Sequence, residues 1–144
     1  MKKIKKIIKH ILNQVLYFLL LKKNPNFFFK KISGVIHIGA NTGQERKEYE
    51  KYSLAVIWVE PIPEVFEELK KNIISYPNQK AFKYLLTDVD DQEIELKIAN
   101  NNGLSSSIFN FGLHTHIWPN INYVKSIQLK SSTLTSLVKS EKID

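Results

Sequence analysis

The 144-residue chain contains no cysteine, which excludes disulfides and thiolate metal centres. It has only five glycines and five prolines, so a place where glycines cluster carries information. No uninterrupted apolar run approaches the roughly 20 residues needed to span a bilayer. Acid is absent from residues 1–31, which hold nine lysines. The remaining 113 residues carry 12 Lys and Arg against all 14 Asp and Glu. The net charge of +7 therefore belongs to the N-terminal arm. A nucleic-acid-binding domain carries its basic patch on the folded part, and here that part is mildly acidic, which disfavours nucleic acid as a partner.

What is present describes one globular domain with an arm. The apolar fraction of 43% and charged fraction of 24% are ordinary, and the length suffices for a core. In the arm, Ile4, Ile7, Ile8, Ile11, Leu12, Val15 and Leu19 recur at helical spacing behind Lys2, Lys3, Lys5, Lys6 and Lys9. Three readings stand for it: a helix packed on or frayed from the domain, an interfacial helix drawn to anionic lipid through residues 1–23, or a signal or anchor segment. Against the last, Asn13 and Gln14 interrupt the apolar stretch and no small-residue cleavage site follows. Asn24-Pro25-Asn26 breaks the pattern. The domain boundary is placed at residue 31, with residues 1–31 as helix and linker and 32–144 as the folded part. The absence of cysteine is compatible with a cytoplasmic location, with membrane-peripheral contact as the variant.

Apolar runs alternate with helical patterns along the folded part, which predicts an α/β fold. A strand is expected over 32–38, a short polar helix over 42–52 packed by Tyr49 and Tyr52, and a second strand over 54–59. The continuous apolar run of that strand suits a parallel sheet. Pro63 opens a helix over 64–75, with Val65, Phe66, Leu69 and Ile73 inward and Glu67 with Lys71 as an outer i,i+4 pair. A third strand is expected over 81–86, closed by Thr87-Asp88. Residues 93–98 alternate at period two and are expected to pair with that strand as a hairpin. A polar loop at 100–107, a second alternating strand over 123–129 and a short helix or turn over 133–139 complete the chain.

The chemistry concentrates where the first strand meets its helix, at Gly39-Ala40-Asn41-Thr42-Gly43. Glycine permits positive φ and close approach of a ligand to backbone, and Asn tolerates the left-handed region best among the other residues. The helix start adds free N–H groups. The spacing is Gly-x-Asn-x-Gly. It departs from the dinucleotide fingerprint, whose third glycine, counted along Asn41-x-Gly43, is replaced here by Arg46, and no Gly-Lys-Ser/Thr follows to make a P-loop. Glu60 ends the second strand, where a carboxylate can accept from two ribose hydroxyls. His114-x-His116 lacks an evident third metal ligand, so no metal is expected. The 100–107 loop is read either as a ligand contact or as a hydrogen-bonded turn cluster.

Val35-Ile36-His37-Ile38-Gly39-Ala40-Asn41-Thr42-Gly43-Gln44-Glu45 and Trp58-Val59-Glu60-Pro61-Ile62-Pro63 resemble the FkbM family of S-adenosylmethionine-dependent methyltransferases. Segments 101–108, with His114, and 127–134 resemble a subgroup of it; together the resemblance runs from about 33 to 137. It implies a partial class I methyltransferase (Rossmann-like) fold, with parallel strands 1–3 and additional hairpin-type strands. It implies S-adenosyl-L-methionine as cofactor. Gly39, Ala40, Asn41 and Gly43 would hold its methionine and ribose parts, and His37 would either contact the cofactor or be a core-edge residue. Glu60 would take the ribose hydroxyls, and Thr87 and Asp88 would lie by the adenine. The implied reaction is O-methylation of a sugar or natural-product hydroxyl, the acceptor being a small molecule or glycan.

Two departures qualify this expectation. Many family members carry an acid where this chain has His37. The family's next strand motif, with a glycine and a second acid, is not present before Asp144. The expected consequence is a truncated domain whose first strand becomes a sheet edge. The alternative is a catalytically incomplete Rossmann-like fragment acting as a binding or membrane-peripheral protein.

Overall fold

The computed structural model describes residues 10–13, 16 and 27–143. Most of the predicted N-terminal helix, and the breaker at Asn24-Pro25-Asn26, lie outside the described residues; residues 10–13 and 16 are helical. Among the described residues no helix is long and apolar enough to cross a membrane.

The chain is α/β, with one parallel and one mixed three-stranded sheet. After a 3-10 turn at Phe27–Lys31, strands β1 (Gly34–Ile38), β2 (Ala55–Val59) and β3 (Gln79–Phe82) pair in parallel in the order β1-β2-β3. The register places Ile36 beside Ile57 and Trp58 beside Ala81. Helices α1 (Arg46–Glu50) and α2 (Pro63–Ile73) connect them. Pro63 sits at the start of α2, where its missing N–H costs nothing. Phe66, Leu69 and Ile73 face inward from α2, and Tyr49 from α1. They close on Phe29, Leu54, Val56 and Trp58 to form the larger core cluster. Trp58 is wholly buried, and its indole N–H donates to Gln79 Oε1 at 3.0 Å. A buried indole needs such a partner.

The mixed sheet consists of β4 (Leu85–Leu86), β6 (Tyr123–Ser132) and β5 (Glu93–Ala99), in the order β4-β6-β5. β4 runs parallel to β6, and β5 antiparallel with a shift at Ile98/Ala99. Leu96 and Ile98 of β5 meet Ile62 and Leu85 in a second core cluster, with Ile127 and Leu129 packed against it. Helix α3 (His114–Ile117) lies in the β5–β6 connection, and α4 (Leu134–Ser140) follows β6. Thr133 caps α4 by accepting from Ser136 N.

Four expectations are corrected. The third strand does not run over 81–86: the chain leaves the parallel sheet at Phe82 and enters the mixed sheet at Leu85. Residues 93–98 therefore do not form a hairpin with it; they pair with β6, where Leu96 and Ile98 reach the second core. The 42–52 helix shrinks to Arg46–Glu50, because the preceding residues are used in the turn. On α2, Glu67 pairs with Lys70 at 2.8 Å, one residue nearer than expected. As expected, β1 is an edge strand among the described residues.

Candidate functional site

The turn after β1 is clamped to the end of β2. Gly39 N and Ala40 N both donate to Val59 O, at 2.9 and 3.1 Å. Asn41 then takes a left-handed conformation, φ +46°. That conformation turns its backbone N–H onto Glu60 Oε2 at 2.8 Å. The other carboxylate oxygen, Oε1, accepts from Ile62 N at 2.9 Å. Glu60 is thus a buried acid, 3% exposed, with an N–H on each oxygen. Burial pushes its carboxyl above the ordinary range, and the N–H groups of Ile62 and Asn41 pull it back.

The two glycines of the turn differ. Gly43, φ +71°, packs against α2, and a Cβ there would lie 2.7 Å from Leu69 Cδ1. Gly39, φ +73°, faces open space. Arg46 donates from Nη1 to Gly43 O at 2.9 Å. Asn72 of α2 donates to Thr42 O at 2.9 Å. The turn is tied on three sides and open at Gly39.

The Asn41 side chain joins the two sheets. Its Nδ2 donates to Asn102 O at 2.9 Å, and its Oδ1 accepts from Gln44 Nε2 at 3.0 Å. Beside this junction lies a cleft of about 470 Å³, within the size range of small-molecule sites. Its walls are Asn41, Thr42 and Gln44 of the turn, Glu64, Val65 and Glu68 of α2, Ala99, Asn100 and Asn102 to Leu104, and Val124 and Lys125 of β6. Lys125 Nζ and Glu64 Oε1 pair at 2.9 Å.

The 100–107 loop is a hydrogen-bonded turn cluster, and part of it borders the cleft. Asn101 Oδ1 accepts from Ser105 N and Ser106 Oγ accepts from Ala99 N, so it is a hydrogen-bonded cluster. Asn100, Asn102, Gly103 and Leu104 also line the cleft.

Compared with family profiles, curated proteins and solved structures, the chain matches none.

Of the eight expected cofactor residues, the structure gathers Gly39, Ala40, Asn41, Gly43 and Glu60 into one hydrogen-bonded unit, and Asn41 alone of the eight lines the cleft. His37 points into the helical layer. Its Nδ1 lies 3.0 Å from the Tyr49 hydroxyl, and its ring stacks on Trp58 at 4.9 Å. Burial lowers its pKa, and Glu45 raises it by less. Thr87 and Asp88 lie past β4. Thr87 N donates to Ser132 O, and its hydroxyl donates to Val89 O. The residue that ends the third parallel strand is instead Phe82, whose carbonyl accepts from Glu60 N at 3.2 Å. His114 stacks on Phe111 at 4.7 Å. Among the described residues no cluster of three His, Cys, Asp or Glu could hold a metal. Gln44, Glu64, Glu68 and Lys125 are cleft residues that sequence reasoning missed. Glu64, in the first turn of a helix after Pro63, carried a local signal; Lys125 came from 61 residues away and carried none.

Proposed function

We propose that this chain carries the cofactor-binding part of an S-adenosylmethionine-dependent methyltransferase acting on a hydroxyl oxygen. One observation carries the reading: at the carboxyl end of a parallel sheet, a Gly-x-Asn-x-Gly turn is locked to an acid at the end of the neighbouring strand. Open α/β sheets take their ligands at that end.

The cleft fits the group in size and chemistry. Glu64 is paired with Lys125 on the same wall, which leaves Glu68 as the carboxylate facing a cationic ligand, and Asn41, Gln44 and Asn102 offer amide groups to its polar parts. Bound S-adenosylmethionine supplies an electrophilic methyl on a sulfonium. The chain's own contribution is positioning. Glu60 holds Asn41 in its left-handed conformation, and Asn41 in turn holds the 100–107 loop at the cleft through Asn102.

A second reading, a Rossmann-like fragment that binds without turning over, is favoured by the state of Glu60. Both of its oxygens are taken by turn N–H groups and it is 3% exposed, so in this conformation it is closed to ribose hydroxyls.

Calorimetric titration of S-adenosylhomocysteine into the whole chain tests the proposal. The expected result is saturable binding that weakens in Asn41→Gly, which keeps the backbone conformation and loses the side chain. Heat with NADH and none with S-adenosylhomocysteine would sink the methyltransferase reading. Binding without methyl transfer to any hydroxyl acceptor would leave the second reading.

A further inference from the structure

Residues 98–124 run from the end of β5 to the start of β6 and contain no Asp, Glu, Lys or Arg, in a chain that is 24% charged. A lysine bounds the run on each side, Lys97 and Lys125. Connections of this kind lie on the surface, where charged side chains are usual. Here the surface is apolar instead. Leu104, Phe109, Leu113, Ile117, Trp118 and Val124 are each between 52% and 77% exposed.

Contacts within the connection gather these side chains. On α3, Leu113 and Ile117 stand one turn apart on one side, and His114 and Trp118 one turn apart on another. A row of rings ties the helix to β6: Trp118 to His114 at 5.0 Å, His114 to Phe111 at 4.7 Å and Phe111 to Tyr123 at 3.8 Å. The Tyr123 hydroxyl donates to Phe109 O at 2.8 Å, which brings Phe109 to the same place. Val124 follows Tyr123 and, with Leu104, borders the cleft. Single exposed apolar residues need no explanation, but a contiguous set marks an interaction site. We propose that this tip is a membrane-contact surface, which inserts Leu113, Ile117 and Trp118 into the interfacial layer of a lipid bilayer.

Charge and size select a bilayer over a protein partner or a second copy. Carrying a charged side chain into lipid is costly, and none of Asp, Glu, Lys or Arg has to leave water with this tip. The flanking charges are cations, which suit anionic headgroups. Lys97 Nζ donates to the neutral amide of Asn110 at 2.7 Å, so it keeps its charge beside the tip. Lys125 shares its charge with Glu64. A standard protein interface takes about 20–30 residues from each side, whereas this tip offers six large apolar side chains around one short helix. Tryptophan is the residue favoured at the boundary between lipid and water. Neither the patch nor its test depends on the methyltransferase reading.

Tryptophan fluorescence tests the proposal in the full chain. Of the two tryptophans, Trp58 is wholly buried and Trp118 is exposed. The chain is mixed with vesicles of phosphatidylcholine and phosphatidylglycerol, with brominated or with plain acyl chains. The expected result is a blue shift of Trp118 emission with both vesicles and quenching with the brominated ones alone. Leu113→Asp with Ile117→Asp, both at exposed sites, should weaken vesicle partitioning by at least about 10-fold through lost apolar burial, with far-UV dichroism and Tm unchanged. Trp118 emission that brominated vesicles leave unquenched would overturn the proposal, whether the chain stays free or attaches only through the lysines of residues 1–31. Equal partitioning of the parent and the double variant would overturn it too. So would a blue shift that grows with protein concentration in the absence of lipid, which would assign the tip to a second copy.

Discussion

The two sheets of this molecule have equal strand number and opposite construction. The parallel sheet is assembled from neighbours in sequence: β1, β2 and β3 follow one another, each joined to the next by one helix. The mixed sheet is assembled from distant pieces, with Leu85 beside Ser131 and Glu93 beside Lys130. The parallel sheet holds the buried acid and the turn, and the mixed sheet supplies the opposite wall of the cleft through Asn102 and Lys125. A site of this kind depends on a long-range meeting of two units, and Asn41 bridges them with its side chain while its backbone serves Glu60.

The comparison breaks most sharply at the centre of the parallel sheet. Trp58→Ala empties a fully buried site and leaves Gln79 Oε1 without its donor. A cost of about 3–5 kcal/mol is expected, read by urea denaturation. Leu96→Ala in the second core should cost about 2–5 kcal/mol. If the two units unfold as one, fluorescence and far-UV dichroism will give coincident transitions in both variants.

The turn glycines separate packing from conformation. Gly39→Ala should cost about 1–2 kcal/mol for a left-handed non-glycine residue. Gly43→Ala carries that cost and also drives a methyl into Leu69, adding about 1–3 kcal/mol. Equal midpoints for the two variants would show that Leu69 yields freely.

Glu60→Gln replaces one carboxylate oxygen with an amide N–H₂, which cannot accept from Asn41 N or Ile62 N. A loss of about 1–3 kcal/mol is expected. It also removes a pH dependence. Because burial raises the folded pKa above the ordinary 4.5, the folded chain keeps a proton that the unfolded chain releases. Stability from this group therefore falls as pH rises from 4.5 through the raised value. Denaturation midpoints across that window should slope less in Glu60→Gln than in the parent.

The smallest effect belongs to His37. Burial lowers its pKa below 6.5, so the unfolded chain binds the proton that the folded chain lacks. Stability rises with pH through a window ending near 6.5 and is lost as pH falls below it. His37→Gln should flatten that slope while leaving the midpoint at pH 8 little changed. An NMR titration placing the imidazole pKa above 6.5 would contradict the burial argument.

The parallel sheet was readable because its evidence is local. Val56 to Val59 is an apolar run too short for a helix, Pro63 marks a helix start, and the spacing of Phe66, Leu69 and Ile73 names the buried side of α2. The break between Phe82 and Leu85 was not readable, since 81–86 is as strand-like in composition as either piece. Which sheet receives each half is decided by what meets it: Val59 for Phe82 and Ser131 for Leu85. The alternation of 93–98 announced a strand, but an alternating pattern names a face and not a partner.

By itself the sequence determined an α/β chain, a glycine-bearing turn at 39–43 and an acid at 60 at the end of the neighbouring strand. These follow from periodicity and backbone tolerance, which act over a few residues. Tertiary structure decided that Glu60 is sealed by two N–H groups, that His37 faces Tyr49, that Thr87 and Asp88 sit away from the cleft and that Lys125 lines it. Apart from the N–H of Ile62, two positions from Glu60, these depend on which residues, 12 to 61 positions apart, come within reach of one another. Only packing of the whole chain sets such distances.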